Sequence, residues 1–341
     1  MVISNSAPVP QDAAALVALD WGSTSLRAFL MDASGGVLAE RTSDDGASRL
    51  AGGPAEFEKA LRRLVGDWLR AQPRAQLVAC GMVGSQHGWR EAPYAGCPVA
   101  VDALDRHSIV ADGTDGLQVR IIPGVCFTAD RHVADVMRGE ETQIAGLLWA
   151  HPALAARCRV VLPGTHSKWV EVRGGCIVSF RTCMTGELFS LLREHSVLGR
   201  LMPPATDFHA EAFDDALQRT RDDAGLGLSW DLFSVRARAL MYQLEAAALP
   251  DYLSGLLVGH EVAGALRAVP QDEPLALVGD PALCDRYVRA LQVLGHPATV
   301  IARNTAPQGL WRLGCRASES DRRGGHVDAG HCIAHSPVNT P

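Results

Sequence analysis

The sequence predicts an α/β fold in two lobes, and three observations carry that prediction. Strand-like and helix-like segments alternate in both halves of the chain. A strand–turn–strand–turn–strand pattern occurs twice, about 140 residues apart. A chain of 341 residues can bury about three quarters of its unfolded surface, enough for two domains of ordinary size.

The first copy runs through Leu16–Trp21, the turn Gly22-Ser23-Thr24-Ser25, Leu26–Leu30, a Gly35-Gly36 turn and Val37–Thr42. The second runs through Val160–Pro163, Gly164-Thr165-His166-Ser167, Lys168–Val172, a Gly174-Gly175 turn and Cys176–Thr182. An apolar run that ends at a glycine-centred turn signals a hairpin, because glycine accepts backbone angles other residues resist. Successive backbone N–H groups in such a turn, with hydroxyls beside them, form a concave anion site. Two such turns facing each other would clamp a row of phosphates. The candidate phosphate ligands are Gly22, Ser23, Thr24 and Arg27 in the first copy, and Gly164, Thr165, His166, Ser167 and Lys168 in the second.

Asp20 ends the first strand where a carboxylate can hold Mg²⁺ through water, since that ion keeps part of its hydration shell. Arg27 can reach back over the turn toward a phosphoryl group. Leu162-Pro163 stands in the second copy where Asp20-Trp21 stands in the first, so any metal carboxylate comes from the first copy alone. One hairpin by itself would read as an ordinary β-meander with Asp20 starting a turn; the repeat favours phosphate. Lys168 either contacts phosphate or faces solvent, and His166 either contacts phosphate or shapes its turn.

A net charge of −6 argues against a nucleic-acid partner, which wants a basic face. Nine cysteines without a Cys-x-x-Cys pair do not suggest a disulfide framework and fit a reducing cytoplasm. No stretch approaches the ~20 apolar residues of a membrane span, and Met1–Asp12 lacks the basic start and apolar run of a secretory signal. The expected partner is a small molecule, with neither nucleic acid nor membrane, and a homodimer is left open.

Apolar spacing predicts an amphipathic helix over Glu56–Arg70, ended before Pro73. Gln76–Val83 and Val119–Ile122 read as strands, and a helix leads through Trp149 to His151-Pro152. These observations set a leader over 1–14, a first lobe over 15–157, a second over 158–316 and a disordered tail over 317–341. In the second lobe, helices are expected from Thr185, over Glu211–Arg221, over Asp231–Ala248 and over Ala282–Leu294, with a short strand at Leu275–Val278. His326, His331, Cys332 and His335 in the tail are candidate metal ligands, although nothing nearby would order them.

Asp20-x-Gly22-Ser23-Thr24-Ser25-x-Arg27-Ala28 resembles the first phosphate motif of sugar kinases in the actin and hexokinase superfamily. Gly164-Thr165 resembles the second, and Leu277-Val278-Gly279-Asp280 a divergent adenosine motif. Gly81–Ser85, Gly88-Trp89, Glu91–Tyr94, Asp135–Gln143, Leu162–Trp169, Met184–Leu188, His195–Gly199 and Leu253–Glu261 together resemble the 2-dehydro-3-deoxygalactonokinase family, in order through both lobes. The resemblance covers about residues 15–315. It implies a ribonuclease-H-like, actin-like ATPase fold with duplicated mixed sheets and a central cleft. It also implies a phosphotransferase with an alcohol acceptor, using ATP and Mg²⁺ to phosphorylate the terminal hydroxyl of 2-dehydro-3-deoxy-D-galactonate in galactonate breakdown. Gly279 and Asp280 would then contact the nucleotide.

Phosphoryl transfer asks the protein for positioning, charge neutralisation and a base for the hydroxyl proton. Gly139-Glu140 resembles the Gly-Asp pair that carries the base in related carbohydrate kinases, so Glu140 is the first candidate and Asp135 the second. Acidic residues at a helix start also simply oppose its dipole. The sugar-acid site is expected on the loop Ser85, Gln86, His87, Trp89 and Glu91, with Arg181 clamping the carboxylate. Competing readings are a kinase for the gluconate epimer or another sugar acid, and an actin-like nucleotide switch without kinase activity. A P-loop kinase can be set aside and a serine hydrolase is disfavoured, because neither the Gly-x-x-x-x-Gly-Lys pattern nor a Gly-x-Ser-x-Gly elbow occurs.

Overall fold

The computed structural model describes residues 14–128, 134–204, 207–222 and 227–322. The leader and the tail histidines lie outside these. The chain divides into two compact units: unit 1 takes the residues up to Arg157, Val172–Phe180 and those from Asn304, and unit 2 takes Cys158–Glu171 and Arg181–Arg303.

Unit 1 is built on β1 (Leu16–Trp21), whose six residues are all buried. A run that is apolar but for Asp20 suits a strand covered on both faces. β1 pairs antiparallel with β2 (Leu26–Met31), which pairs with β3 (Val37–Ser43). α1 (Pro54–Ala71) starts on a proline, whose missing N–H is not needed in a first helical turn. Its buried face carries Phe57, Leu61, Leu64, Val65 and Trp68, the stripe its spacing predicts, and Trp21 meets Phe57 with ring centroids 5.2 Å apart.

β4 (Gln76–Gly81) lies parallel to β1 on its other side. Two short strands follow, β5 (Ala95–Gly96) and β6 (Val99–Ala100), then the antiparallel pair β7 (Ile109–Asp112) and β8 (Gln118–Ile121). The first sheet thus runs β3-β2-β1-β4-β8-β7. A small sheet joins β5, β9 (Val125–Phe127) and β10 (Asp135–Met137) ahead of α2 (Glu140–Ala150).

The opening pattern recurs as β11 (Arg157–Leu162), β12 (Ser167–Arg173) and β13 (Cys176–Cys183), of which Cys158–Glu171 and the residues from Arg181 count with unit 2. Cys176 and Ile177, counted with unit 1, pair there with β6. α3 (Thr185–His195), α4 (Ala210–Asp222) and α5 (Leu228–Leu240) come next. The single helix expected over Asp231–Ala248 is broken: α5 stops at Leu240, and Tyr242 takes a φ of 56°, a left-handed conformation that ends helices. α6 (Leu249–Leu266) then begins, with Pro250 in its first turn. This helix carries no polar stripe because it is buried on nearly every side, so apolar periodicity could not reveal it. β14 (Leu275–Val278), parallel to β11, leads into α7 (Pro281–Val293) and β15 (Val300–Ala302).

α8 (Ala306–Arg322), which sequence order assigns to the second lobe, packs on α2, β1 and β4 of unit 1. Glycines let α2 and α8 cross at backbone contact. A Cβ at Gly309 would stand 1.9 Å from the carbonyl oxygen of Thr142, and one at Gly146 2.0 Å from that of Thr305. Thr305 Oγ1 also donates to the carbonyl of Gln143 at 2.6 Å. This crossing fixes the start of α2, where two acidic residues stand. Gly309→Ala should therefore cost about 1–3 kcal/mol in urea unfolding, as overpacking does. An unchanged midpoint would contradict the close crossing.

Candidate active site

The first glycine turn hangs from β1 and β2. The antiparallel register places Asp20 opposite Arg27, and Arg27 Nη2 donates to Asp20 Oδ2 at 2.5 Å. The side chain of Asp20 is 10 % exposed, and burial pushes its carboxyl up from the ordinary value while the Arg27 charge and hydrogen bond pull it down. The turn closes with Gly22 N–H on the carbonyl of Ser25. Its carbonyls are held from behind, since Ala47 N–H donates to Gly22, and Ser48 N–H and Oγ both donate to Ser23. Ser23 and Thr24 themselves are exposed.

Beside this turn lies the start of α2. Gly139 holds a φ of 110° and comes so near Gly81 that a Cβ would stand 3.4 Å from its Cα. Glu140 is half-buried and accepts the backbone N–H of Arg138 at 3.0 Å. Its neighbour Glu141 turns inward: it is fully buried, and its carboxylate accepts Gly139 N–H at 2.7 Å and Thr142 Oγ1 at 2.9 Å. Burial, then the charge of Glu140, pushes its carboxyl up to about 8. The buried thiol of Cys80 lies between the acids, 4.0 Å from Asp20 Oδ1, and is pushed well up by burial and by the charges of Asp20 and Glu141. Asp135, the second candidate base, sits on β10 with its carboxylate accepting Val136 N–H at 2.8 Å.

The loop expected to hold the sugar acid folds back on itself, with Trp89 N–H on Val83 and Ala92 N–H on Gly84. Gln86, His87 and Glu91 are exposed and Ser85 is half-buried. Trp89, named with that loop, is 4 % exposed and packs edge-on against Trp21 in the core, the commoner fate of a tryptophan. Arg181 is exposed on β13 of unit 2.

The second glycine turn joins β11 to β12. Gly186, at the start of α3, lets the helix approach so closely that a Cβ would lie 2.5 Å from the carbonyl oxygen of Gly164, and Glu187 N–H donates to Thr165. Lys168 is buried rather than solvent-facing, and its Nζ donates to the carbonyl of His166 at 3.1 Å. His166, half exposed, bonds the carboxylate of Glu187 through Nε2. Beneath the turn one buried carboxylate gathers four donors. Glu261 on α6 accepts Ser167 Oγ at 2.6 Å, Trp169 Nε1 at 2.7 Å, the Thr185 hydroxyl, and the Tyr287 phenol at 2.7 Å. Burial and this carboxylate push the phenol of Tyr287 well above its usual value.

Next to that carboxylate unit 2 encloses a cavity of about 480 Å³, lined among others by Gly164, Thr185, Ser254, Arg286 and Tyr287. Arg286 is fixed there by Asp251 at 2.7 Å and lies 4.6 Å from the ring centroid of Phe208. The volume falls in the range of small-molecule sites, with aromatic walls and a few placed polar groups. Gly279 and Asp280 do not line it: Asp280 is exposed and caps α7 by accepting Leu283 N–H at 3.1 Å. The inner face of α7 lines it instead.

Two residues here escape a reading of sequence alone. Glu141 cannot be told from Glu140 without the phase of α2. Glu261 does leave a signal, because an acid inside the apolar run Leu253–Val262 must find donors or stay unpaired. Glu141 makes a pH prediction. Its folded value lies above the ordinary 4.5, so its linked stability is full below about pH 4.5 and is lost as pH rises toward about 8. Urea unfolding from pH 5 to 8 should show wild-type stability falling relative to Glu141→Gln, by up to ~1.4 kcal/mol per pH unit. Parallel curves would contradict a buried, protonated Glu141.

Residues 20–313 match the model of the 2-keto-3-deoxy-galactonokinase family. The chain is 38 % identical over 294 residues to the 2-dehydro-3-deoxygalactonokinase of Escherichia coli K12, covering 86 % of this chain and 94 % of that one. A solved Sinorhizobium meliloti structure assigned to the same activity aligns with a TM-score of 0.78 at 35 % identity, over 89 % of this chain and 98 % of that one. A dehydratase activator of Clostridium difficile, 14 % identical with a TM-score of 0.50 over 92 % of this chain and 99 % of that one, shares the fold alone. The fold is the actin-like one the motifs imply, and the chain belongs to the 2-keto-3-deoxy-galactonokinase family.

Proposed function

We propose that this protein transfers the terminal phosphoryl group of ATP to the 6-hydroxyl of 2-dehydro-3-deoxy-D-galactonate, giving the 6-phosphate ester and ADP. The observation that carries the reading is the first glycine turn: a buried carboxylate paired to an arginine under an exposed Gly-Ser-Thr bend, in a chain of this family. The hydroxyl oxygen bonds to the terminal phosphorus as the bond to the bridging oxygen of ADP breaks, and the hydroxyl proton passes to Glu140. The half-buried carboxylate of Glu140, at the start of a helix held by the α2–α8 crossing, supports that role better than Asp135 on a short strand.

For the nucleotide, the unit 2 cavity supports a base and ribose against α7, with Gly164 and Thr165 presenting backbone to phosphate. Lys168 and Ser167 would act there by shaping the turn, since both are committed to internal partners. Among the described residues no group of three or more His, Cys, Asp or Glu is placed to hold a metal ion. The buried carboxylate of Asp20 would fit a hard cation that arrives on the phosphates and keeps its water. Mg²⁺ is our choice; when bound it would neutralise charge on the terminal phosphates. No helix among the described residues is long and apolar enough to cross a membrane. With ATP and a catabolic acid as substrates, we place the enzyme in the cytoplasm.

A coupled ADP-release assay tests the assignment. Asp20→Asn should lower turnover at least ~100-fold, the size of effect that loss of one preorganised electrostatic contact produces. Glu140→Gln should slow transfer while nucleotide affinity, followed by fluorescence titration, stays as in wild type. Near-normal turnover in Asp20→Asn removes that residue from the mechanism. Intact turnover in Glu140→Gln, with loss in Asp135→Asn, passes the base to Asp135.

A further inference from the structure

The geometry points to Arg138 as the group that recognises the carboxylate of the acid substrate, an inference that rests on the kinase reading above. Arg138 precedes Gly139-Glu140 and is half-buried. Its Nη2 donates to the carbonyl of Ala92 at 2.9 Å, and its guanidinium lies 4.2 Å from the ring centroid of Tyr94. Both partners follow directly on the Ser85–Glu91 loop expected to hold the sugar acid. The other two nitrogens, Nε and Nη1, are buried and have no hydrogen-bond partner among the described residues.

Several other arginines among the described residues keep a carboxylate partner. Arg27 has Asp20, Arg41 has Asp67, Arg219 has Asp231, and Arg286 has Asp251. A guanidinium stays charged at any physiological pH, and a charge taken out of water without a counter-ion is costly. Folding would not favour that arrangement for packing alone. A planar anion seated against the free N–H groups relieves it, and carboxylate is the planar anion the substrate brings. The surroundings suit one. Gly84 lets the guanidinium lie against the loop backbone, since a Cβ there would come within 3.0 Å of Nη1. Tyr94 covers one face of the guanidinium and is itself 41 % exposed, so the group lies just under the surface.

The main chain ties this cation to the chemistry. Arg138 N–H donates to Glu140 Oε2 at 3.0 Å, so the residue that would hold one end of the acid is joined directly to the proposed base for the other. A neutral sugar or an ester offers no charge to Arg138 and would leave it unpaired. Selection for acids over neutral analogues follows from that penalty. Arg181, the cation the sequence offers, is exposed and carries no such penalty.

The test compares 2-dehydro-3-deoxy-D-galactonate with its methyl ester, using MgATP and the full chain. Wild type should prefer the acid. Arg138→Gln should raise the KM for the acid roughly 10- to 100-fold, the size of a lost charge-assisted contact, and leave the ester and the KM for ATP unchanged. Arg138→Lys should restore part of the preference, and Arg181→Ala should keep all of it. Retained acid preference in Arg138→Gln overturns the inference, as does its loss in Arg181→Ala alone. An equal loss on acid and ester assigns Arg138 a structural role and also overturns it. If Arg138→Gln fails to fold, the acid-to-ester ratio of Arg138→Lys decides by the same criterion. A wild type that phosphorylates neither compound sinks the kinase reading itself, whereas activity on the acid with unaltered discrimination in the variants sinks this inference only.

Discussion

A buried carboxylate under each glycine turn is the constraint from which the rest follows. Asp20 lies under the first, tied across two strands to Arg27. Glu261 lies under the second, where four donors from β12, α3 and α7 converge on it. Neither acid can be left unpaired in a dry interior, so each obliges the neighbouring elements to come to it. The turns gain fixed shape as a result, and a backbone anion site works only when its N–H groups are already aimed. The two copies of the hairpin reach the same end by different chemistry. In unit 1 the acid stands on the strand and faces the turn; in unit 2 it is supplied by a distant helix, which frees Leu162-Pro163 to be apolar.

The second constraint is how closely helices may approach. α2 and α8 touch through Gly146 and Gly309, and α4 and α6 touch through Gly255, where a Cβ would come within 2.5 Å of the carbonyl of Phe213. The first crossing holds the acidic start of α2 beside Gly81 and Cys80. The second holds α6, and therefore Glu261, against the rest of unit 2. A shift of either helix would move a buried carboxylate, Glu141 on α2 or Glu261 on α6.

Much of this was legible in the residues. β1, apolar but for Asp20, and α1, with its stripe of Phe57, Leu61, Leu64, Val65 and Trp68, follow from period and punctuation alone. The repeated hairpin and the motif order gave the fold and the family. What escaped did so for physical reasons. α6 is buried all round and has no amphipathic signature. The break at Tyr242 depends on a left-handed residue that composition does not announce. The return of α8 to unit 1 depends on contacts between residues about 160 positions apart. In the site, Lys168 and Trp89, which the residues alone leave open, turn to His166 and Trp21; Glu261 shows as an acid in an apolar run, whereas Glu141 and Arg138 become visible only once burial is known.

The account stands or falls on where the phosphoryl group goes. Phosphorus NMR of the enzyme with ATP, magnesium and 2-dehydro-3-deoxy-D-galactonate should show ADP growing in step with a single new phosphate monoester coupled to the C6 protons of the acid. Appearance of inorganic phosphate in place of that ester would contradict it, and would make the two glycine turns parts of a nucleotide switch.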